Sequence, residues 1–148
     1  MTTDRIEKQI VLKAPQSRVW RAIADSTEFG TWFGIKLEGA FVPGTSVHGK
    51  ITIPGYEDWG GDFDVETVEP ERLLSFRWHP YGKPELDLSD EPKTLVEFHL
   101  EAVEGGTKLT ITESGFDRIP LARREEAFRM NDGGWSGQIK NIERHVAT

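Results

Sequence analysis

The sequence predicts an α+β domain: a strongly curved antiparallel sheet of about six or seven strands wrapped around a long C-terminal helix, with two short helices after the first strand. Three observations lead there. Apolar residues follow a helical period near residues 15–33, alternate from about Ile35 to Glu113, and return to a helical stripe from Leu121. The alternating runs have one apolar and one wet face, the pattern of antiparallel strands. The last stripe, if continuous, spans roughly 39 Å at 1.5 Å per residue, enough to cross a small sheet.

Ile6, Ile10 and Leu12 are in phase on a first strand, with Lys8 interrupting their face. Pro15 opens a first helix, where a proline is tolerated in the first turn, and its Val19, Ala22 and Ile23 share a face. A second short helix holds Thr27 to Phe33. Strand faces follow: Val47, Gly49, Ile51 and Ile53; Phe63 and Val65; Leu74, Phe76 and Trp78; Val96, Phe98 and Leu100; Leu109 and Ile111. Gly55, Gly60-Gly61, Glu69-Pro70-Glu71 and Glu104-Gly105-Gly106 punctuate them as turns. Phe128, Trp135, Ile139, Ile142 and Val146 form one stripe on the last helix. Gly133, Gly134 and Gly137 interrupt that helix and point to a bend, or to a close approach to the sheet or a ligand.

Composition narrows the function. The 148 residues make a single domain, 1–148, with 36% in hydrophobic types, and no cysteine rules out disulfide scaffolds, thiolate nucleophiles and cysteine-based zinc sites. A net charge of −7 opposes a nucleic-acid partner. No apolar run reaches the roughly 18 residues of a membrane helix, so no membrane insertion is expected. The start lacks the apolar stretch of a secretory signal, so a cytoplasmic location is the expectation.

The residues also carry a resemblance. Ala14-Pro-Gln-Ser-Arg-Val-Trp-Arg-Ala-Ile-Ala-Asp, followed by Trp32-Phe33, resembles the opening of the activator of heat-shock protein 90 ATPase homologue-like family. Val68-Glu-Pro-Glu-Arg-Leu-Leu-Ser-Phe-Arg-Trp, Gly106-Thr-Lys-Leu-Thr-Ile-Thr-Glu-Ser-Gly-Phe and Gly133-Gly-Trp match it in the same order. The resemblance covers nearly the whole chain and implies the helix-grip (Bet v 1-like, START-like) superfamily. That superfamily includes carriers, sensors, enzymes and chaperone regulators with roles such as stress response. The acidic segment from Pro84 to Pro92 looks longer than the usual connection there, as a lid or gate would be.

In such a fold the concave sheet and the helix leave a gap, lined here by an unusual number of rings. The candidate ligand-binding residues are Phe63, Phe76, Trp78, Phe98, Ile111, Phe128 and Trp135, with Trp32, Phe33, Tyr56 and Trp59 at the rim. Glu113 continues the inward phase of Leu109 and Ile111. An undistorted strand aims it at the interior as a polar anchor or an acid or base, whereas a strand end at Ser114-Gly115 leaves it in water.

Other chemistry finds no support. His48, His79 and His99 take the outward phase and His145 lies near the chain end, with no metal-ligand spacing, so all four read as solvated surface residues, His79 close to the Trp78 pocket edge. Glu57, Asp58, Asp62, Asp64 and Glu66 alternate along a strand and lack a calcium-loop pattern. No nucleophile elbow or phosphate loop occurs, and Arg123, Arg124, Glu125 and Glu126 read as the wet face of the last helix. The first expectation is therefore a cofactor-free binding module for a small hydrophobic or aromatic molecule. The alternatives are a cyclase- or hydrolase-like enzyme using Glu113, and a chaperone-ATPase regulator acting through protein contacts. An exposed edge strand permits a homodimer without demanding one.

Overall fold

The computed structural model describes residues 5–80 and 90–147. Strand β1 (Arg5–Leu12) leads to helices α1 (Gln16–Ala24) and α2 (Ser26–Phe33), then β2 (Ile35–Glu38), β3 (Ser46–Ile51), β4 (Gly60–Glu69), β5 (Leu73–Trp78), β6 (Thr94–Val103) and β7 (Gly106–Ser114). A single 3-10 turn (Phe116–Arg118) precedes α3 (Leu121–Val146). All seven strands form one curved antiparallel sheet in the order β1-β7-β6-β5-β4-β3-β2. This is the expected α+β, helix-grip architecture. The segment proposed as a lid, Pro84 to Pro92, lies outside the described residues up to position 89.

Local chemistry sets the helix ends. Pro15 sits just before the first turn of α1, where its missing N–H leaves no unpaired helical donor. Asp25 caps α2 by accepting from Thr27 N and Glu28 N at 2.9 and 3.1 Å. Gly34 ends α2 at φ 85°, and Gly30 lies so close to the chain that a Cβ there would meet the Ile35 carbonyl oxygen at 2.3 Å.

The inward faces follow the alternation, so Ile6, Leu12, Val47, Phe63, Val65, Leu74, Phe76, Val96, Phe98, Leu109 and Ile111 are all buried. One irregularity, at Glu66, shifts the β4–β5 register between Val65 and Thr67. Helix α3 packs against β1, α1 and α2, burying Ala127, Trp135, Ile142 and Val146, with Phe128 and Ile139 partly covered. Lys8 keeps its inward position on β1 by pairing with Asp132 of α3 at 2.9 Å.

Three expectations are corrected. Helix α3 runs unbroken through Gly133, Gly134 and Gly137, which are exposed, and a Cβ at any of them would meet nothing within 4 Å. They therefore mark neither a bend nor a close approach. Ile53 leaves the strand and is 46% exposed in the loop after β3. His145 is not a solvated surface residue: it bonds Glu28 Oε1 at 2.9 Å, and Arg18 and Arg21 bind the same carboxylate at 2.9 and 2.8 Å.

Candidate functional site

The sheet register places Ile6, Glu113, Val96, Phe76 and Val65 in one cross-strand rung. Glu113 is thus a carboxylate in the middle of an otherwise apolar row. It is completely buried, because β7 continues through Ser114 without distortion. Of the two sequence readings, the inward one holds.

Four donors converge on this carboxylate. Trp78 and Thr94 oppose each other at the facing ends of β5 and β6. The Trp78 indole N–H donates to Oε2 at 2.8 Å, and the Thr94 hydroxyl donates to Oε2 at 2.5 Å. Asn131 and Trp135 are four residues apart on α3, hence on one helix face. Asn131 Nδ2 donates to both oxygens at 2.9 and 3.0 Å, and the Trp135 indole donates to Oε1 at 2.8 Å. Glu113 therefore ties two central strands to one turn of α3. Burial pushes its carboxyl above the ordinary glutamate range, and the bonds from Thr94, Trp78, Trp135 and Asn131 oppose that rise.

The rings around this knot touch one another. Trp78 and Trp135 stack with centroids 5.7 Å apart at 25°, and Phe33 meets both at 6.0 Å. Phe98 lies edge-on to Trp135 at 5.7 Å, and Phe63 meets Trp78 at 5.3 Å and Phe76 at 4.6 Å. Phe29 joins Trp32, Phe33, Phe41, Phe63, Phe76 and Phe98 from α2, and the Trp32 indole is anchored separately on Ala22 O at 2.8 Å. Ile111 is buried opposite Phe98. Trp78 is the half-buried member of the group, at the strand end.

Other candidates lie elsewhere. Tyr56 is 51% exposed and pairs with half-buried Trp59 at 5.7 Å in the loop between β3 and β4. Phe128 pairs with Phe116 at 5.2 Å, beside the 3-10 turn. The sequence reading missed Thr94, Asn131, Phe29 and Phe41. The spacing of Asn131 from Trp135 was the available signal for one of them.

Arg123 is also corrected. It is not on the wet face but binds Glu91 through Nε and Nη2, at distances down to 2.6 Å, and Pro80 O at 2.6 Å. Arg124 holds Ile119 O and Asp117 O at 3.1 and 2.6 Å. Among the described residues no group of three or more His, Asp or Glu side chains is placed to hold a metal ion, and no helix is long and apolar enough to cross a membrane.

A long helix closing a seven-stranded antiparallel sheet over an aromatic interior defines a helix-grip domain. The chain belongs to the family described as Activator of Hsp90 ATPase homolog 1-like protein, whose model matches residues 13–147. Among solved structures it is similar to a protein from Mesorhizobium loti, at 22% identity and TM-score 0.78, covering 97% of this chain and 96% of that one. It is also similar to the Aha1 dimer from Colwellia psychrerythraea, at 20% identity and TM-score 0.70, covering 97% and 94%. A third similar structure, at 25% identity and TM-score 0.75, is DynU16, a protein of the dynemicin biosynthetic locus. The match covers 98% of this chain but 48% of DynU16, so the chain spans about half of that protein. No curated protein sequence matches the chain.

Proposed function

We propose that this protein binds a small, flat hydrophobic or aromatic molecule between the sheet and α3, against the indoles held by Glu113. The observation that carries this reading is the buried carboxylate itself. A core that only had to be stable would place another apolar side chain in the Ile6–Val96–Phe76 rung. A carboxylate there costs desolvation and instead fixes the plane of two large rings. Such preorganised rings with a few convergent polar groups are the usual make-up of a ligand site. The helix-grip fold and the wealth of buried rings support the same reading.

Because the rings already touch, a guest enters beside half-buried Trp78 and inserts against the Trp78–Trp135 pair. Phe33, Phe63 and Phe98 supply the remaining apolar surface, with Ile111 beside Phe98 on the neighbouring strand. Each ring that a guest covers contributes at about 25 cal/mol per Å² of apolar surface, less the ordering costs of binding.

Titration of tryptophan fluorescence with flavonoids and other uncharged polycyclic phenols tests the proposal. A saturable shift or quench with one equivalent, lost when Trp78 is replaced by alanine, is the expected result. A folded protein that gives no saturable response across the panel refutes it.

A further inference from the structure

We propose that the preferred guest of this site is a lipophilic monocation, a protonated amine or quaternary ammonium on an aromatic body, because Glu113 is a buried carboxylate whose partners among the described residues are all neutral, two of them indoles. The inference rests on the small-molecule reading given above and narrows it to one class of ligand.

Every group bonded to Glu113 among the described residues is a neutral donor: two indoles, a hydroxyl and an amide. Such donors orient a carboxylate and disperse its charge, but they do not cancel it. Buried carboxylates are ordinarily paired with a cation. Lys8 lies two residues from Ile6, which is the β1 partner of Glu113. Lys8 also points inward, yet it is bound to Asp132 at 2.9 Å and is thereby held by a different carboxylate. Among the described residues no side chain bonded to Glu113 supplies its counter-charge.

The rings reinforce this preference. Both indole N–H groups aim in their ring planes at Glu113; the two rings stack on each other, and a guest reaches their faces by sliding in at the half-buried Trp78 edge. Ring faces are the negative side of the aromatic quadrupole, and tryptophan is the strongest of them toward cations. Carboxylate and ring faces thus impose one sign of potential on the same small volume. A carboxylic acid or phosphate ester would bring a second negative charge into it, with nothing cationic to meet it among the side chains bonded there. The polar discrimination is cation over neutral over anion.

The test uses one ring system carrying three end groups: 1-naphthylmethylamine, 1-naphthalenemethanol and 1-naphthoic acid, each titrated into the intact wild-type protein at neutral pH. Affinity is read by calorimetry and position by the indole N–H signals of Trp78 and Trp135 in ¹⁵N–¹H spectra. The expected result is that the amine binds about tenfold tighter than the alcohol, that the acid binds weakest, and that both indole signals move. An alcohol as tight as the amine, or an acid tighter than either, overturns the cation assignment while leaving small-molecule binding intact. Absence of binding by all three overturns both. In Glu113→Gln the amine should lose its advantage over the alcohol, and an advantage that persists there contradicts the role of the carboxylate. If that variant does not fold, the wild-type series decides alone.

Discussion

Replacing Glu113 by leucine keeps roughly the side-chain volume and removes every acceptor from the knot between β5, β6 and α3. Two of its four donors, the Thr94 hydroxyl and the Trp135 indole, belong to residues that are 0% and 2% exposed and have no water to turn to. Each buried polar group left without a partner costs about 1–3 kcal/mol, so the variant should lose about 2–6 kcal/mol. That is a large part of the roughly 5–15 kcal/mol that stabilises an ordinary domain. Trp78 and Asn131 are half-buried and can reach solvent, so they add little. Glu113→Gln is milder. With its amide nitrogen in place of Oε2 it faces the Thr94 hydroxyl, which can turn and accept, while Oε1 still receives Trp135. Only one donor, Trp78, then loses its acceptor, and because it can reach solvent the cost stays below about 1 kcal/mol. Urea unfolding followed by near-ultraviolet circular dichroism, which reports the fixed indoles, gives both values. A leucine variant within about 1 kcal/mol of wild type, or one more stable than the glutamine variant, refutes the knot as a structural element.

Further predictions follow from the same contacts. Alanine at Gly133, Gly134 or Gly137 meets open space on an uninterrupted helix, so each should stabilise the protein by about 1 kcal/mol in thermal or urea unfolding; loss of stability would mean that these glycines are needed for something else. Gly30→Ala drives a Cβ to 2.3 Å from the Ile35 carbonyl oxygen and should destabilise the α2–β2 corner by at least about 1 kcal/mol, whereas an unchanged midpoint would show that the corner yields freely. Burial raises the Glu28 carboxyl, but bonds from His145, Arg18 and Arg21 outweigh it and hold the group below 4.5. The stability it adds is therefore present above pH 4.5 and lost as pH falls below that value, so the gap between wild type and Glu28→Gln should narrow on acidification. Glu113 acts with the opposite sign: its raised carboxyl favours the folded state most below pH 4.5 and loses that contribution as pH rises through the folded-state value. Wild type should therefore gain on Glu113→Gln as pH falls, and a gap that widens toward high pH contradicts the direction given.

Much of this was legible because strand alternation is strict where one face is buried. The phase of Leu109 and Ile111 offered the inward reading of Glu113 but left a strand end at Ser114-Gly115 as the alternative; the strand continues, and Glu113 lies inward with no register shift on either side. The partners of Glu113 were not legible. Trp78 and Trp135 are 35 and 22 residues away, and an apolar stripe reports which face a tryptophan takes but not where its N–H points. Residue type alone singles out neither Thr94 nor Asn131, since a threonine opening a strand and an asparagine in a helix are common surface choices. Arg123 shows the converse failure. Helical phase marks a charged residue as wet, yet a carboxylate from a distant segment, Glu91, folds over it and leaves the Arg123 side chain 13% exposed. Glycine misled for another reason. Its helix penalty is small enough for packing elsewhere on α3 to absorb, so three glycines on the solvent face broke nothing.

Isotope-filtered nuclear Overhauser spectra of the protein saturated with an unlabelled aromatic guest would show directly where a bound molecule lies. Cross-peaks from the guest to the Trp78 and Trp135 indoles and to the Phe33 ring are the result foreseen here. A guest whose cross-peaks lie only to Tyr56, Trp59 or the outer strand faces would contradict it.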